Sequence, residues 1–274
     1  MKNEQPVRKD LFGFTKIPFI SNPEKPYLDN ERQQCLGKLQ GFLQYRGFAM
    51  LYAEPGCGKS ILLNYLCDRL NTNSNKIIYI PFTNFSENDI LKIIAQKLDL
   101  ELLYNKAMMV INIQKCIEEI QPVNPVIIID EIQNISTSTL ETVRLITNFK
   151  FDSPPIMSII MAGTPEFLEK LRLRINEPLR QRITLFTKLK PLSSDHISAY
   201  INHCLASAGA HSDIFPPEAI QLIYDASRGI PRIINHLALG ALQEASWNEK
   251  TQVTLDHVRS AVEQVILPER QVSS

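Results

Sequence analysis

The stretch Ala53-Glu54-Pro55-Gly56-Cys57-Gly58-Lys59-Ser60 constrains this chain more than any other. It follows the apolar run Phe48-Ala49-Met50-Leu51-Tyr52 and precedes Ile61-Leu62-Leu63, which opens a helical pattern. A strand, a glycine-bearing turn and a helix N-terminus, in that order, form a context in which the turn can cradle phosphate. Gly56 and Gly58 can take positive φ, so backbone N–H groups can close around an anion. The helix opening near Lys59 directs its dipole and its unpaired N–H groups to the same point. Lys59 supplies a cation for the β- and γ-phosphates, and Ser60 supplies a hydroxyl for Mg²⁺. Glu54, Pro55, Cys57 and Ile61 complete the set expected around the nucleotide. Ala53 stands where the full motif begins with Gly, and it can leave the strand if its φ stays negative. Cys57, inside the loop, is expected to be exposed and so open to chemical attack.

From Phe48 onward the pattern alternates between strand and helix. Lys76–Ile80, Pro125–Asp130, Ile156–Met161 and Ile183–Thr187 read as further strands. Helical spacing covers about 30–45, the segment up to Leu70, Ser86–Leu98, Lys106–Ile120 and Ser136–Phe149. Such alternation predicts an α/β fold with a parallel sheet covered by helices on both faces. After Pro191 the strand signals stop. Ser193–Ala208, Pro217–Ala226, Pro231–Trp247 and Thr254–Ile266 read as helices, each with a Ser, Thr or Pro start signal. The expected organisation is a Pro- and aromatic-rich lead-in at 1–30, an α/β domain at 31–190, a helical lid at 191–267 and a disordered tail at 268–274. Phe12, Phe14 and Phe19 of the lead-in need burial, and packing against the main domain is the expectation.

Composition excludes some functions. Lys+Arg and Asp+Glu are balanced at 29 each, so no global field draws the chain to nucleic acid or membrane. The five cysteines lack a CxxC pair or zinc-like spacing and read as free thiols in a reducing compartment. The N-terminus has no apolar core for a signal peptide, and no apolar run reaches membrane-span length. A cytoplasmic protein without a membrane partner is the expectation.

Four further groups carry chemistry. Asp130-Glu131 ends an apolar strand, where ligands bind in open α/β sheets. Asp130 would hold Mg²⁺, and Glu131 would orient or deprotonate an attacking water. Thr164, just past the fourth strand, would hydrogen-bond that water or the γ-phosphate, or else serve as a turn residue. Arg232, in the first turn of a helix after Gly229-Ile230-Pro231, is disfavoured by the helix dipole unless an external anion compensates it. Lys170, Arg172, Arg174, Arg180 and Arg182 concentrate cations in one short segment. A neighbouring subunit often supplies an Arg to a phosphoryl-transfer site. Arg182 is the first choice for that finger and Arg180 the second.

In this order, these motifs resemble those of the AAA+ ATPases from about Asp29 to Ile266. The resemblance implies sheet order 5-1-4-3-2, Thr164 as sensor 1, Arg182 as arginine finger, Arg232 as sensor 2, and ATP at subunit interfaces. A narrower resemblance rests on Phe12-Gly13-Phe14-Thr15-Lys16-Ile17-Pro18-Phe19, Leu171-Arg172-Leu173-Arg174 and Ser227-Arg228-Gly229-Ile230-Pro231-Arg232-Ile233-Ile234-Asn235. Together these are similar to the ExeA/TniB/TnsC group of bacterial ATPases. That group implies a transposition regulator. ATP-bound copies would assemble as a ring or helical filament on double-stranded DNA of any sequence. They would mark a target and recruit the transposase, with or without a targeting adaptor, and hydrolysis would disassemble them. Secretion members of the group carry extra membrane and cell-wall regions, for which this chain is expected to have no room; an envelope ATPase or a nucleotide-gated switch remain alternatives. Lys92, Lys97 and Lys106 are candidate DNA contacts.

Overall fold

Strands β1 (Gly47–Tyr52), β2 (Asn75–Ile80), β3 (Asn124–Ile129), β4 (Ser158–Gly163) and β5 (Ile183–Lys188) form one sheet in the order β2-β3-β4-β1-β5. Every neighbouring pair is parallel. Read from the other edge, this is the order 5-1-4-3-2. The computed structural model describes residues 7–20, 25–81, 85–149, 154–210 and 213–265. The tail assigned to 268–274 lies outside them.

The helices, in chain order, are α1 (Lys9–Phe12), α2 (Asn30–Tyr45), α3 (Lys59–Arg69), α4 (Glu87–Lys97), α5 (Lys106–Glu119), α6 (Thr137–Leu145), α7 (Glu166–Arg172), α8 (Glu177–Arg180), α9 (Ser194–Ser207), α10 (Pro217–Ser227), α11 (Pro231–Trp247) and α12 (Leu255–Val265). Their starts follow local chemistry. Ser86 caps α4 in a reciprocal capping box with Asp89, Asn105 accepts from two N–H groups at the head of α5, and Ser136 caps α6. The helix expected to reach Phe149 instead ends at Leu145. There the N–H groups of Thr147 and Asn148 fold back onto the carbonyls of Arg144 and Leu145 in tight turns. Among the described residues no helix is long and apolar enough to cross a membrane.

By contacts the chain divides into two units. One comprises Asn30–Pro55 and Leu62–Leu189 and holds the sheet. Its strands β3 and β4 are buried at every position, as central parallel strands must be when both faces are covered. Alternate residues Met50, Ile78, Ile127, Ile129, Ile159 and Met161 join one apolar cluster with α4, α5, α6 and α7. The intervening Ala49, Leu51, Val126, Ile128 and Ile160 are also buried and point to the opposite face.

The other unit comprises Met1–Asp29, Gly56–Ile61 and Lys190–Ser274. Its core packs Phe12, Phe14 and Phe19 with Ile197, Ile201, Ile223, Leu237 and other residues of α9 to α12. The lead-in is therefore fixed to the helical unit, not to the sheet. Thr15 N–H donates to Ala208 O at 2.8 Å, and Phe19 meets Phe215 edge-on with ring centroids 6.4 Å apart. The aromatics follow the apolar surface that four helices leave uncovered, because they need an apolar partner wherever one is available.

Candidate active site

In the sheet unit, the ladder between β2 and β3 continues past Ile129, where Asp130 N–H donates to Ile80 O at 2.9 Å. Asp130 is 1% exposed. One carboxylate oxygen accepts the Tyr79 hydroxyl at 2.9 Å and the other accepts Glu131 N–H at 2.9 Å. Bonds of this kind fix the carboxylate's direction. Glu131 then adopts left-handed backbone angles, φ 52° and ψ 37°, which turn the chain sharply off the strand. Its carboxylate accepts the side-chain amide of Gln133.

Thr164 is the first residue beyond β4 and is buried. Its N–H donates to Gln133 Oε1 at 3.3 Å. Glu131 and Thr164, from neighbouring strand ends, thus belong to one hydrogen-bonded group with Gln133 between them. Beside them Ala53 N–H donates to Gly163 O at 3.1 Å, which ties the start of the glycine turn to the end of β4. Ala53 stays out of the left-handed region, as its substitution for Gly requires.

Arg182 lies just before β5 and is half-buried. It donates to Thr147 Oγ1 at 3.1 Å. Burial, then the nearby Arg144, push its guanidinium below the usual value, and Glu141 opposes them. Arg180 is exposed and pairs with Glu177 at 3.6 Å. The two candidate fingers therefore differ: one is ordered, the other solvated.

In the helical unit, Gly56 and Gly58 have φ of 84° and 95°, the left-handed geometry expected of an anion-binding turn. A Cβ added at Gly58 would meet nothing within 4 Å, so the space beside it is open. At Gly56 the same atom would lie 2.8 Å from Arg232 Cβ. Arg232 N–H donates to Gly56 O at 3.2 Å, bringing the first turn of α11 directly onto the loop. Lys59 and Ser60 are the first residues of α3, and Lys59 is buried. Cys57 is fully buried, contrary to the exposure expected for it: the turn directs its side chain inward, where a thiol packs as a small apolar group.

The donor chemistry suits a magnesium nucleotide. Ser60 offers a hydroxyl and Asp130 a carboxylate, each a hard oxygen of the kind that Mg²⁺ accepts alongside phosphates and water. Among the described residues no cluster of His, Cys, Asp and Glu could hold a metal by itself.

A family model described as an AAA domain matches residues 43–171. That stretch is similar to an AAA domain, and the sheet order β2-β3-β4-β1-β5 is that of the AAA+ fold. Beyond the domain, the chain is 32% identical over 241 residues to General secretion pathway protein A of Aeromonas hydrophila, covering 85% of this chain but 44% of that protein. It therefore spans less than half of that relative. Two solved structures share the AAA+ fold. The Aeropyrum pernix ORC2 protein, in ADPNP and ADP complexes, superposes with TM-score 0.69 at 17% identity over 96% of this chain and 73% of that one. The Aeropyrum pernix ORC1 protein in complex with DNA gives 0.62 at 16%, over 97% and 71%.

Two residues of the candidate site carry no mark in the sequence. Tyr79 is a polar-tipped residue in an apolar strand, and only the register that pairs it with Ile128 puts its hydroxyl near Asp130. Gln133 stands two residues after Glu131, and nothing in its spacing marks a return toward β4.

Proposed function

We propose that this chain is an ATP-dependent DNA-binding regulator of transposition whose ATP-bound copies assemble on duplex DNA and recruit a transposase. The observation that carries the hydrolytic half is the carboxylate pair Asp130-Glu131 at the end of β3, with Glu131 linked through Gln133 to Thr164. In this reading Gly56, Cys57, Gly58 and Lys59 cradle the phosphates. Glu54, Pro55 and Ile61 line them, and Ser60 and Asp130 hold Mg²⁺. Bound there, the ion would neutralise charge on the β- and γ-oxygens. Glu131 draws the proton from the attacking water, Thr164 orients that water or the γ-phosphate, and Arg232 engages the phosphates from the head of α11. Arg182 serves the site of a neighbouring copy, which requires it to release Thr147.

Assembly of copies is supported by the segment that carries Arg182. Leu173 and Ile175 in it are 55% and 70% exposed, apolar surface that a second copy would cover. The DNA half is supported by the likeness to the ORC1 protein solved in complex with DNA. With zero net charge, affinity must come from a small basic patch repeated along an assembly. Lys92 and Lys97 remain candidates for it. Lys106 is a poorer one, because it is ion-paired with Glu87.

A second reading, an ATPase serving envelope secretion, is favoured by the identity to General secretion pathway protein A. Electron microscopy of the protein with a non-hydrolysable ATP analogue, Mg²⁺ and duplex DNA at low salt separates the two. Ordered DNA-bound assemblies are expected. Indifference to DNA, together with co-purification of a membrane partner, would give the second reading precedence.

A further inference from the structure

The turn Ile132–Asn134 follows Glu131 immediately and carries Gln133 back across to β4. Its entry through a left-handed residue bearing a Cβ is an uncommon backbone choice. Such geometry persists where the surroundings hold it, and here it aims one amide at two partners. Gln133 Nε2 donates to Glu131 Oε2, and Gln133 Oε1 accepts Thr164 N–H at 3.3 Å. The chemistry of the partners fixes which end is which: an ionised carboxylate can only accept and a backbone N–H can only donate.

The two strand ends come this close because Gly163 has no side chain. A Cβ there would lie 2.6 Å from Ile132 Cγ2 and 2.9 Å from Gln133 Oε1. The last residue of β4 thus presses on the turn that holds Gln133, and a shift at Thr164 is passed to the amide by contact as well as by hydrogen bond. The amide holds one oxygen of Glu131 and so restrains the direction of the whole carboxylate.

We propose that Gln133 is a positioning residue for hydrolysis, coupling the backbone at Thr164 to the direction of the Glu131 carboxylate. This rests on Glu131 being the base described above. Gln133 need not touch the nucleotide. It makes the carboxylate's aim depend on the state of the end of β4, the strand end that carries Thr164. A misaimed base loses rate while leaving nucleotide affinity intact.

Four variants of the full chain test it, with turnover at saturating ATP, the KM for ATP, the Kd of a fluorescent ATP analogue, and thermal unfolding measured for each. Gln133→Met keeps the bulk and removes both hydrogen bonds. Gln133→Glu keeps the shape and the acceptor for Thr164 N–H, but replaces the donor facing Glu131. Gly163→Ala pushes the turn off β4. The expected result is a kcat loss of about tenfold or more in all three, the cost of losing a charge-assisted bond. KM and Kd should stay within about twofold.

Gln133→Glu at wild-type turnover, with Gln133→Met impaired, would mean that the residue only satisfies Thr164, and would overturn the proposal. So would a rise in KM at unchanged kcat. If Gln133→Met unfolds early, Gln133→Glu, which exchanges one atom group for another of equal size, carries the test. The fourth variant, Glu131→Gln, separates two failures. Turnover retained in it sinks the role of Glu131 and this inference together. Turnover lost in it, with the Gln133 variants at wild-type rate, sinks this inference alone.

Discussion

The sheet unit and the helical unit reach a buried core by different routes. The first does it with strands covered on both faces: β3 and β4 are buried at each residue, and Asp130, Glu131 and Thr164 follow directly beyond their C-terminal ends. The second gathers three separate stretches of chain, and its tightest glycine contact is backbone against backbone. A Cβ at Gly229 would lie 2.0 Å from Leu192 O, while Leu192 N–H donates to Gly229 O at 2.8 Å. The difference teaches that chemistry in the sheet unit can be altered without touching the core, because its candidate residues sit beyond the strands. In the helical unit the Gly229-Ile230-Pro231-Arg232 turn is packing and candidate site at once.

The largest effect that would sharpen this contrast comes from Arg182. If it acts as an arginine finger, Arg182→Ala lowers turnover about 10³-fold in the assembled protein at little cost in melting temperature. Arg180→Ala, losing an exposed ion pair, changes either by little. Equal losses in the two would erase the distinction between them.

Next is Gly229→Ala. With φ at 74° and no space for a Cβ, it should cost upwards of about 3 kcal/mol, read as a lower denaturant midpoint. An unchanged midpoint would break the claim that this turn is part of the core. Phe14→Ala follows, at about 3 kcal/mol. Hydrogen exchange should then rise in α9, α11 and α12, and not in β3 and β4. Faster exchange in the strands instead would contradict the assignment of the lead-in to the helical unit. The smallest effect is Tyr79→Phe. Removing a hydroxyl that donates to Asp130 costs about 1–2 kcal/mol. The Mg²⁺ concentration needed for half-maximal turnover should rise several-fold, while the ATP requirement at saturating Mg²⁺ stays put.

How much of this was legible in the sequence follows the same division. Val126-Ile127-Ile128-Ile129 followed by Asp130-Glu131 announces a central strand and its polar end, because burial on both faces leaves no alternation and polarity returns only where the strand stops. The glycine turn reads equally well, since positive φ and a helix start are local requirements. The sheet order came from resemblance, because crossover order is a long-range property that no local pattern encodes. The destination of Phe12, Phe14 and Phe19 is not legible for a similar reason: hydrophobicity demands burial but names no partner. Cys57 looked exposed because a loop position is usually outside, whereas this turn directs its side chain inward. Gln133 was invisible because its role depends on the approach of Gly163, a distance that only the folded sheet creates.

The most direct test of the central claim is sedimentation velocity of the protein with fluorescently labelled duplex DNA, at about 50 mM salt so that phosphate contacts are not screened away. Fast-sedimenting DNA is expected with ATP and Mg²⁺, and slow DNA when nucleotide is omitted. With Lys59→Ala the DNA should stay slow even with ATP, if occupancy of the loop is what holds copies together. DNA that sediments alone with ATP present, or that Lys59→Ala carries down as well as the unaltered protein does, would contradict that claim.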